Sequence, residues 1–267
     1  MDQAAAARTV TVITGASAGI GADFARLFAD KGHDLALVAR DADRLATLAD
    51  ELGRAGRPRP LVIPLDLAVQ GAADTLLEKL QAAGARVDNL VNNAGYGLLG
   101  NVVDLDRKGQ LGMIDLNIRA LTDLTLAFLP MLRADKGRIL NVASTAAFCP
   151  GPGLAIYYAT KAYVLSFSEA LAHELKGEVS VTTLCPGPTT TEFQSRAGFE
   201  KSPMMNNMPK MSAKAVAQIG YDAMMAGKRV ATAGFSNQAM AVAMKLSPHA
   251  LLLPILSRIQ GARASTR

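Results

Sequence analysis

Short runs of β-branched and other apolar residues alternate along the chain with longer Ala- and Leu-rich segments of helical period. The short runs fall at 9–14 (TVTVIT), 35–39 (LALVA), 60–65 (PLVIPL), 87–93 (VDNLVNN), 138–144 (RILNVAS), 179–185 (VSVTTLC) and 229–233 (RVATA). Most are apolar at consecutive positions, as strands of a parallel sheet covered on both faces should be. Between them the spacing predicts helices over 19–31, 43–54, 72–83, 109–129, 155–176 and 213–226. Strand, helix, strand, repeated, implies right-handed crossovers. The expected fold is α/β: one doubly wound domain over residues 1–267, with a seven-stranded parallel sheet and helices on both faces. No linker-like stretch divides the chain, and no internal repeat is visible. Such sheets bind ligands outside the carboxyl ends of their strands. The chemistry is therefore expected just after Thr14, Ala39, Leu65, Asn93, Ser144 and Cys185.

Composition narrows the classes. With 50% hydrophobic and 19% charged residues, the chain is neither disordered, collagen-like nor a disulfide scaffold. A net charge of +5 raises nucleic acid as a partner, but the basic residues are scattered, Trp is absent and aromatics are 5%. That excludes a charged stacking platform, so no nucleic-acid partner is expected. Cys149 and Cys185 lie 36 residues apart with no CxxC and read as buried small hydrophobes in a reducing, cytoplasmic setting. His33, His173 and His249 lack metal-ligand spacing. The first ten residues, MDQAAAARTV, do not form a signal peptide. The uncharged stretch 141–160 is broken by Pro150, Gly151, Pro152 and Gly153, so it is not a membrane span.

TGASAGIG at 14–21 follows the first strand and opens the first helix. Gly15, Gly19 and Gly21 permit a tight turn and close approach of a phosphate to the helix N-terminus. Two rival motifs fail. A P-loop needs Gly-Lys-Ser/Thr at its end, which is absent. A hydrolase elbow with Ser17 as nucleophile needs an oxyanion donor from an earlier strand, and only 14 residues precede Gly15. Dinucleotide sites place an acid near the end of the second strand for a ribose 2′-hydroxyl, or an Arg for a 2′-phosphate. Here Ala39 stands where the acid belongs and Arg40 follows, which points to NADP, with NAD as the alternative. Arg40 as a plain surface residue is the competing reading. Asp41 suits a helix N-terminus. Asp66 suits either an adenine amino contact or an N-cap or Asx turn.

Tyr157 and Lys161 are four apart in a helical segment and share a face. An ammonium beside a phenol favours phenolate, so the pair is expected to lower the tyrosine pKa and act as a general acid/base. Tyr158, three residues from Lys161, is not excluded by spacing. Ser144 ends the strand 13 residues before Tyr157, and Asn117 sits within a helix, where its low propensity suggests a polar task.

Together these residues resemble the single-domain, roughly 250-residue branch of the short-chain dehydrogenases/reductases. TGASAGIG matches the family's cofactor turn, Asp66 its adenine-contact acid, and NNAG at 92–95 its fourth-strand motif. Asn117, Ser144, Tyr157 and Lys161 match its catalytic tetrad, and Cys185-Pro186-Gly187-Pro188-Thr189 its turn beside the nicotinamide. The resemblance spans about 8–233 and implies a Rossmann-type fold and an NADP(H)-dependent oxidoreductase interconverting carbonyl and alcohol. It implies Tyr157 as acid/base, Ser144 on the substrate oxygen, Lys161 on the nicotinamide ribose, and Asn117 holding a relay water. The implied cofactor contacts are Gly15, Ser17, Gly19, Ile20, Gly21, Arg40, Asp66, Leu67, Asn93, Ala94, Gly95, Tyr157, Lys161, Pro186, Gly187 and Thr189.

Substrate choice falls to what remains. The resemblance implies a lid over residues 190–212, which contain Phe193, Phe199, Met204, Met205, Met208 and Met211, suited to an apolar ketone, aldehyde or alcohol, or simply to packing. The apolar tail, 237–267, is interrupted by Pro248 and Pro254, which should prevent one continuous helix. It suits an interface in a homodimer or homotetramer, or a peripheral membrane contact. A non-enzymatic nucleotide sensor of the same fold is the competing class, disfavoured by the presence of Tyr157 and Lys161. An extended epimerase would need a larger C-terminal domain than fits after 233.

Overall fold

The computed structural model describes residues 8–54, 56–198 and 209–260. Its strands are β1 (Arg8–Thr14), β2 (Leu35–Ala39), β3 (Leu61–Pro64), β4 (Ala85–Asn92), β5 (Arg138–Val142), β6 (Ser180–Cys185), β7 (Thr189–Thr190), β8 (Met211–Ser212) and β9 (Val230–Thr232). The helices are α1 (Gly19–Asp30), α2 (Ala42–Gly53), α3 (Ala72–Ala82), α4 (Arg107–Ile114), α5 (Leu121–Ala134), α6 (Ala155–Glu174), α7 (Glu192–Arg196), α8 (Ala213–Met225), α9 (Phe235–Leu246) and α10 (His249–Gln260). Seven strands form one parallel sheet in the order β3-β2-β1-β4-β5-β6-β9. β7 and β8 make a separate parallel pair. The strand order reverses beside β1, and the cleft opens there.

Alternation along the strands builds two cores. Val10 and Val12 of β1 and Ala36 and Val38 of β2 face α3, α5 and the end of α6. Ile13, Leu35 and Leu37 face α1, α2 and α8, where Phe24, Phe28 and Tyr221 pack. One turn apart on α1, Phe24 and Phe28 lie on a single face, as residues at i and i+4 must.

Three expectations need correction. The helix expected over 109–129 is α4 and α5 joined by a π-turn over Asp115–Ala120, and it runs through Pro130 to Ala134. The extra residue per turn re-aims the side chains inside it, Asn117 among them. The strand expected over 138–144 stops at Val142, because the Ser144 side chain caps the 3₁₀ turn Thr145–Phe148. In the tail, Pro248 separates α9 from α10, but Pro254 lies inside α10. Of the residues expected in a lid, Phe199, Met204, Met205 and Met208 lie outside the described residues.

Beneath the site, a buried polar chain fastens α5 and α6 to the sheet. Asn92 Nδ2 donates to Thr125 Oγ1 (3.1 Å) and to Asn141 Oδ1 (3.0 Å). Asn141 Nδ2 donates to Ser168 Oγ (2.8 Å), whose hydroxyl donates to the Val164 carbonyl (2.6 Å). Low dielectric strengthens such a chain and makes each broken link expensive. Asn141→Ala should lower unfolding free energy in a denaturant titration by about 1–3 kcal/mol, the cost of leaving buried partners unsatisfied.

Candidate active site

A cleft of about 1600 Å³ runs along the carboxyl edge of the sheet. Gly15, Ser17, Gly19, Ile20, Arg40, Asp66, Leu67, Asn93, Ala94, Gly95, Ser144, Tyr157, Lys161, Pro186, Gly187 and Thr189 all lie on its wall. Asn117 and Gly21 do not. Gly21 instead lets α1 pass under the turn: a Cβ there would stand 2.2 Å from the Gly15 carbonyl oxygen. Gly15 adopts φ +66°, which ordinary side chains resist.

At one end of the cleft, α1 begins at Ala18 with no side-chain cap and no acid in its first turn. Three other helices starting nearby are capped: α2 by Asp41, α4 by Asp106 and α8 by Ser212. The first N–H groups of α1 therefore face the cleft as a positive end suited to a phosphate. Asp41 is committed to Arg44, whose backbone N–H donates to Oδ1 (3.0 Å), which leaves Arg40 on the cleft wall at the end of β2. Asp66 makes an Asx turn, accepting from the Ala68 N–H (3.0 Å), while Gly71 caps α3. It holds both the turn and a place on the wall.

At the other end lie Ser144, Tyr157 and Lys161. The Ser144 Oγ accepts from the Ala146 N–H (3.1 Å) and shares a hydrogen bond with Tyr157. Lys161 Nζ donates to the Val142 carbonyl (2.8 Å) and sits 5.9 Å from the centre of the Tyr157 ring. Burial pushes the lysine down to about 8, because a charged ammonium loses water there. The expected lowering of the phenol does not occur. Burial pushes Tyr157 up to about 12, the Ser144 hydrogen bond opposing it, so the phenol is protonated at neutral pH. Tyr158 also reaches the wall, stacked edge-on against Tyr157. Cys149 and Cys185 are buried free thiols.

Asn117 acts from behind. Its Oδ1 accepts from the Tyr96 N–H (3.1 Å), and its Nδ2 donates to the Tyr96 carbonyl (2.9 Å) and to Thr160 Oγ1 (3.1 Å). Both amide hydrogens are thus engaged, so the side chain positions the wall and is not free to donate to a relay water. Thr160 in turn donates to the Tyr157 carbonyl (2.8 Å). Sequence reasoning missed Thr160, Tyr96 and Thr14. Each bonds across sequence separations that local spacing does not reveal, although a polar Thr14 closing an apolar strand was a visible signal.

The sequence pattern of the short chain dehydrogenases matches residues 9–202. A sulfoacetaldehyde reductase of Chromohalobacter salexigens is 39% identical over 188 residues, covering 69% of this chain and 74% of the relative. An NADP-dependent 3-hydroxy acid dehydrogenase of Salmonella typhi is 37% identical over 195 residues, covering 70% and 75%. The structure of a short-chain dehydrogenase from Sphingobium yanoikuyae in complex with NADPH superposes with a TM-score of 0.79, at 34% identity over 97% of this chain and 98% of that one. The chain belongs to the short-chain dehydrogenase/reductase family. It is an oxidoreductase with the family's seven-stranded α/β fold.

The buried lysine gives the site a pH signature. Its folded pKa, about 8, lies below the ordinary 10.5, so over that interval the unfolded chain binds more protons. Stability from this group therefore rises as pH climbs from about 8 towards 10.5. In urea unfolding at pH 7 and at pH 9.5, wild type should gain stability relative to Lys161→Met at the higher pH.

Proposed function

We propose that the chain is an NADP(H)-dependent reductase of apolar ketones or aldehydes, with Tyr157 as the proton donor. The observation that carries this reading is the sharing of one cleft by a phosphate-suited end and a buried Ser144–Tyr157–Lys161 group. When bound, the nicotinamide supplies or accepts the hydride. The residues present fit that cofactor. The uncapped start of α1 with Ser17 suits its pyrophosphate, and Arg40 offers a planar fork for the 2′-phosphate. Asp66 and Leu67, on the cleft wall, would flank the adenine, and Asn93, Ala94 and Gly95 would lie beneath the cofactor. Lys161, anchored on the Val142 carbonyl, keeps further N–H donors for the nicotinamide ribose. Pro186, Gly187 and Thr189, on the same wall, would border the carboxamide.

Ser144 orients the substrate oxygen, and the Tyr157 phenol gives its proton to that oxygen as negative charge develops. A phenol held protonated by burial is ready to give its proton in the reductive direction. Asn117, through Thr160 and Tyr96, fixes the backbone around the acid. The wall near Tyr157 is apolar, with Leu154, Tyr158, Phe193, Met240 and Met244. These side chains favour an apolar substrate over the sulfoacetaldehyde or 3-hydroxy acid of the relatives' names. An NADPH oxidation panel of apolar ketones and aldehydes against those two anionic classes tests it, and turnover of the anionic compounds alone would refute it.

Two substitutions test the roles. Tyr157→Phe should keep NADPH binding, measured by cofactor fluorescence, while turnover falls by about 10²–10⁴-fold, the loss of a positioned acid. Arg40→Ala should raise KM for NADPH by about tenfold or more, as removal of a charged hydrogen-bond partner does, and leave KM for NADH nearly unchanged.

A further inference from the structure

Pro186, Gly187 and Pro188 follow β6 as a turn on the cleft wall. Its carbonyls, and that of Cys185 before it, are all engaged. Cys185 accepts from the Ala233 N–H (3.3 Å), Pro186 from the Thr145 N–H (2.8 Å) and Pro188 from the Met211 N–H (3.0 Å). The Gly187 carbonyl accepts from the Thr189 hydroxyl (2.9 Å). Proline on either side of Gly187 fixes φ at both neighbours, so a push on the glycine moves the whole turn. Gly187 does not adopt a positive φ, so its backbone conformation does not demand glycine. Space does.

The space is filled from α9. Asn237, in the first turn of that helix, is buried, and its Nδ2 donates to the Ala233 carbonyl (2.6 Å). The same amide covers Gly187. A Cβ on that glycine would stand 2.3 Å from Asn237 Nδ2 and 2.6 Å from both Cγ and Oδ1. The hydrogen bond holds the amide in place, and the glycine lets the turn close onto it. Along α9, Asn237, Met240, Ala241 and Met244 fall at i, i+3, i+4 and i+7 and share one face. Met240 and Met244 line the cleft, Met244 packs in the cluster around Tyr157, and Ala241 packs in a cluster with Cys185. One helix thus touches both the turn and the apolar wall of the cleft.

We propose that Asn237 is a positioning residue for the nicotinamide half of the cofactor: packed on Gly187, it sets where the Pro186–Pro188 turn stands on the cleft wall. The proposal rests on the cofactor reading above, in which that turn would border the carboxamide. The adenosine half would meet Arg40, Asp66 and Leu67 instead, on the loops after β2 and β3, and should not feel a change at Asn237.

Calorimetric titration with NADPH and with adenosine 2′,5′-bisphosphate, which lacks the nicotinamide half, separates the two ends. Wild type is compared with Gly187→Ala, Asn237→Ala and the double variant, with thermal unfolding as the control for folding. Gly187→Ala should weaken NADPH about tenfold or more and leave the bisphosphate within about twofold, because a methyl group added to a filled site forces the turn to shift. Asn237→Ala removes the three atoms in the way, so the double variant should regain most of that loss. Unchanged NADPH affinity in Gly187→Ala would overturn the proposal. So would equal weakening of both ligands, or a double variant as weak as Gly187→Ala. Wild type binding neither ligand would refute the cofactor reading itself, whereas the other results leave that reading standing. If Gly187→Ala does not fold, Asn237→Ala decides. By loosening the turn it should weaken NADPH about threefold or more with the bisphosphate unchanged, and equal effects on both would overturn the proposal.

Discussion

Backbone pairing of β1 with β4 ends at Ile13 opposite Val91, and from there side chains must hold the two strand ends together. Thr14 does most of this. Its Oγ1 accepts from the N–H groups of Asn93 (2.9 Å) and Ala94 (3.0 Å), and its hydroxyl donates to the Val91 carbonyl (3.2 Å). Asn93 answers by donating from Nδ2 to the carbonyls of Thr14 (2.8 Å) and Gly15 (3.3 Å). This clasp sits at the reversal of strand order, where the crossovers diverge and the sheet edge would otherwise splay. It sets the glycine turn against the floor of the cleft and so fixes where α1 points its free N–H groups. Gly21 follows from the same constraint, since any side chain there would collide with the carbonyl of Gly15.

The reacting end is held by the same means. A π-turn brings Asn117 inward, where it grips both backbone groups of Tyr96 and reaches Thr160. Arg119, in the same turn, pairs with Asp115 (3.1 Å) and donates to the Ala68 carbonyl, tying the loop after β3 to the helix behind the acid. The two ends of the cleft are thus parts of one hydrogen-bonded frame. α7 joins it from outside, with Arg44 at the start of α2 paired to Glu192 at 2.8 Å.

Much of this was legible in the sequence, because parallel strands and glycine turns write themselves locally. The seven apolar runs correspond to the seven strands of the sheet, and the residues after the first six line the cleft. What was not legible depends on neighbours distant in the chain. The phenol of Tyr157 rises where spacing to Lys161 suggested a fall, because burial outweighs the Ser144 hydrogen bond that opposes it. The π-turn leaves no mark in residue spacing, and Pro254 is accommodated within α10, although it forfeits one backbone bond. Thr160 and Asn141 look like ordinary polar residues until their partners, 43 and 49 positions away, are in place.

Transfer of a labelled hydride tests most directly whether the cleft joins a nicotinamide to a carbonyl under the Tyr157 phenol. NADPH deuterated on one face or the other at the transferring carbon, incubated with an apolar ketone turned over by the enzyme, is followed by mass spectrometry of the alcohol. A single fixed orientation of cofactor and substrate predicts one deuterium in the product from one label and none from the other. Deuterium from both labels, or from neither, would contradict it.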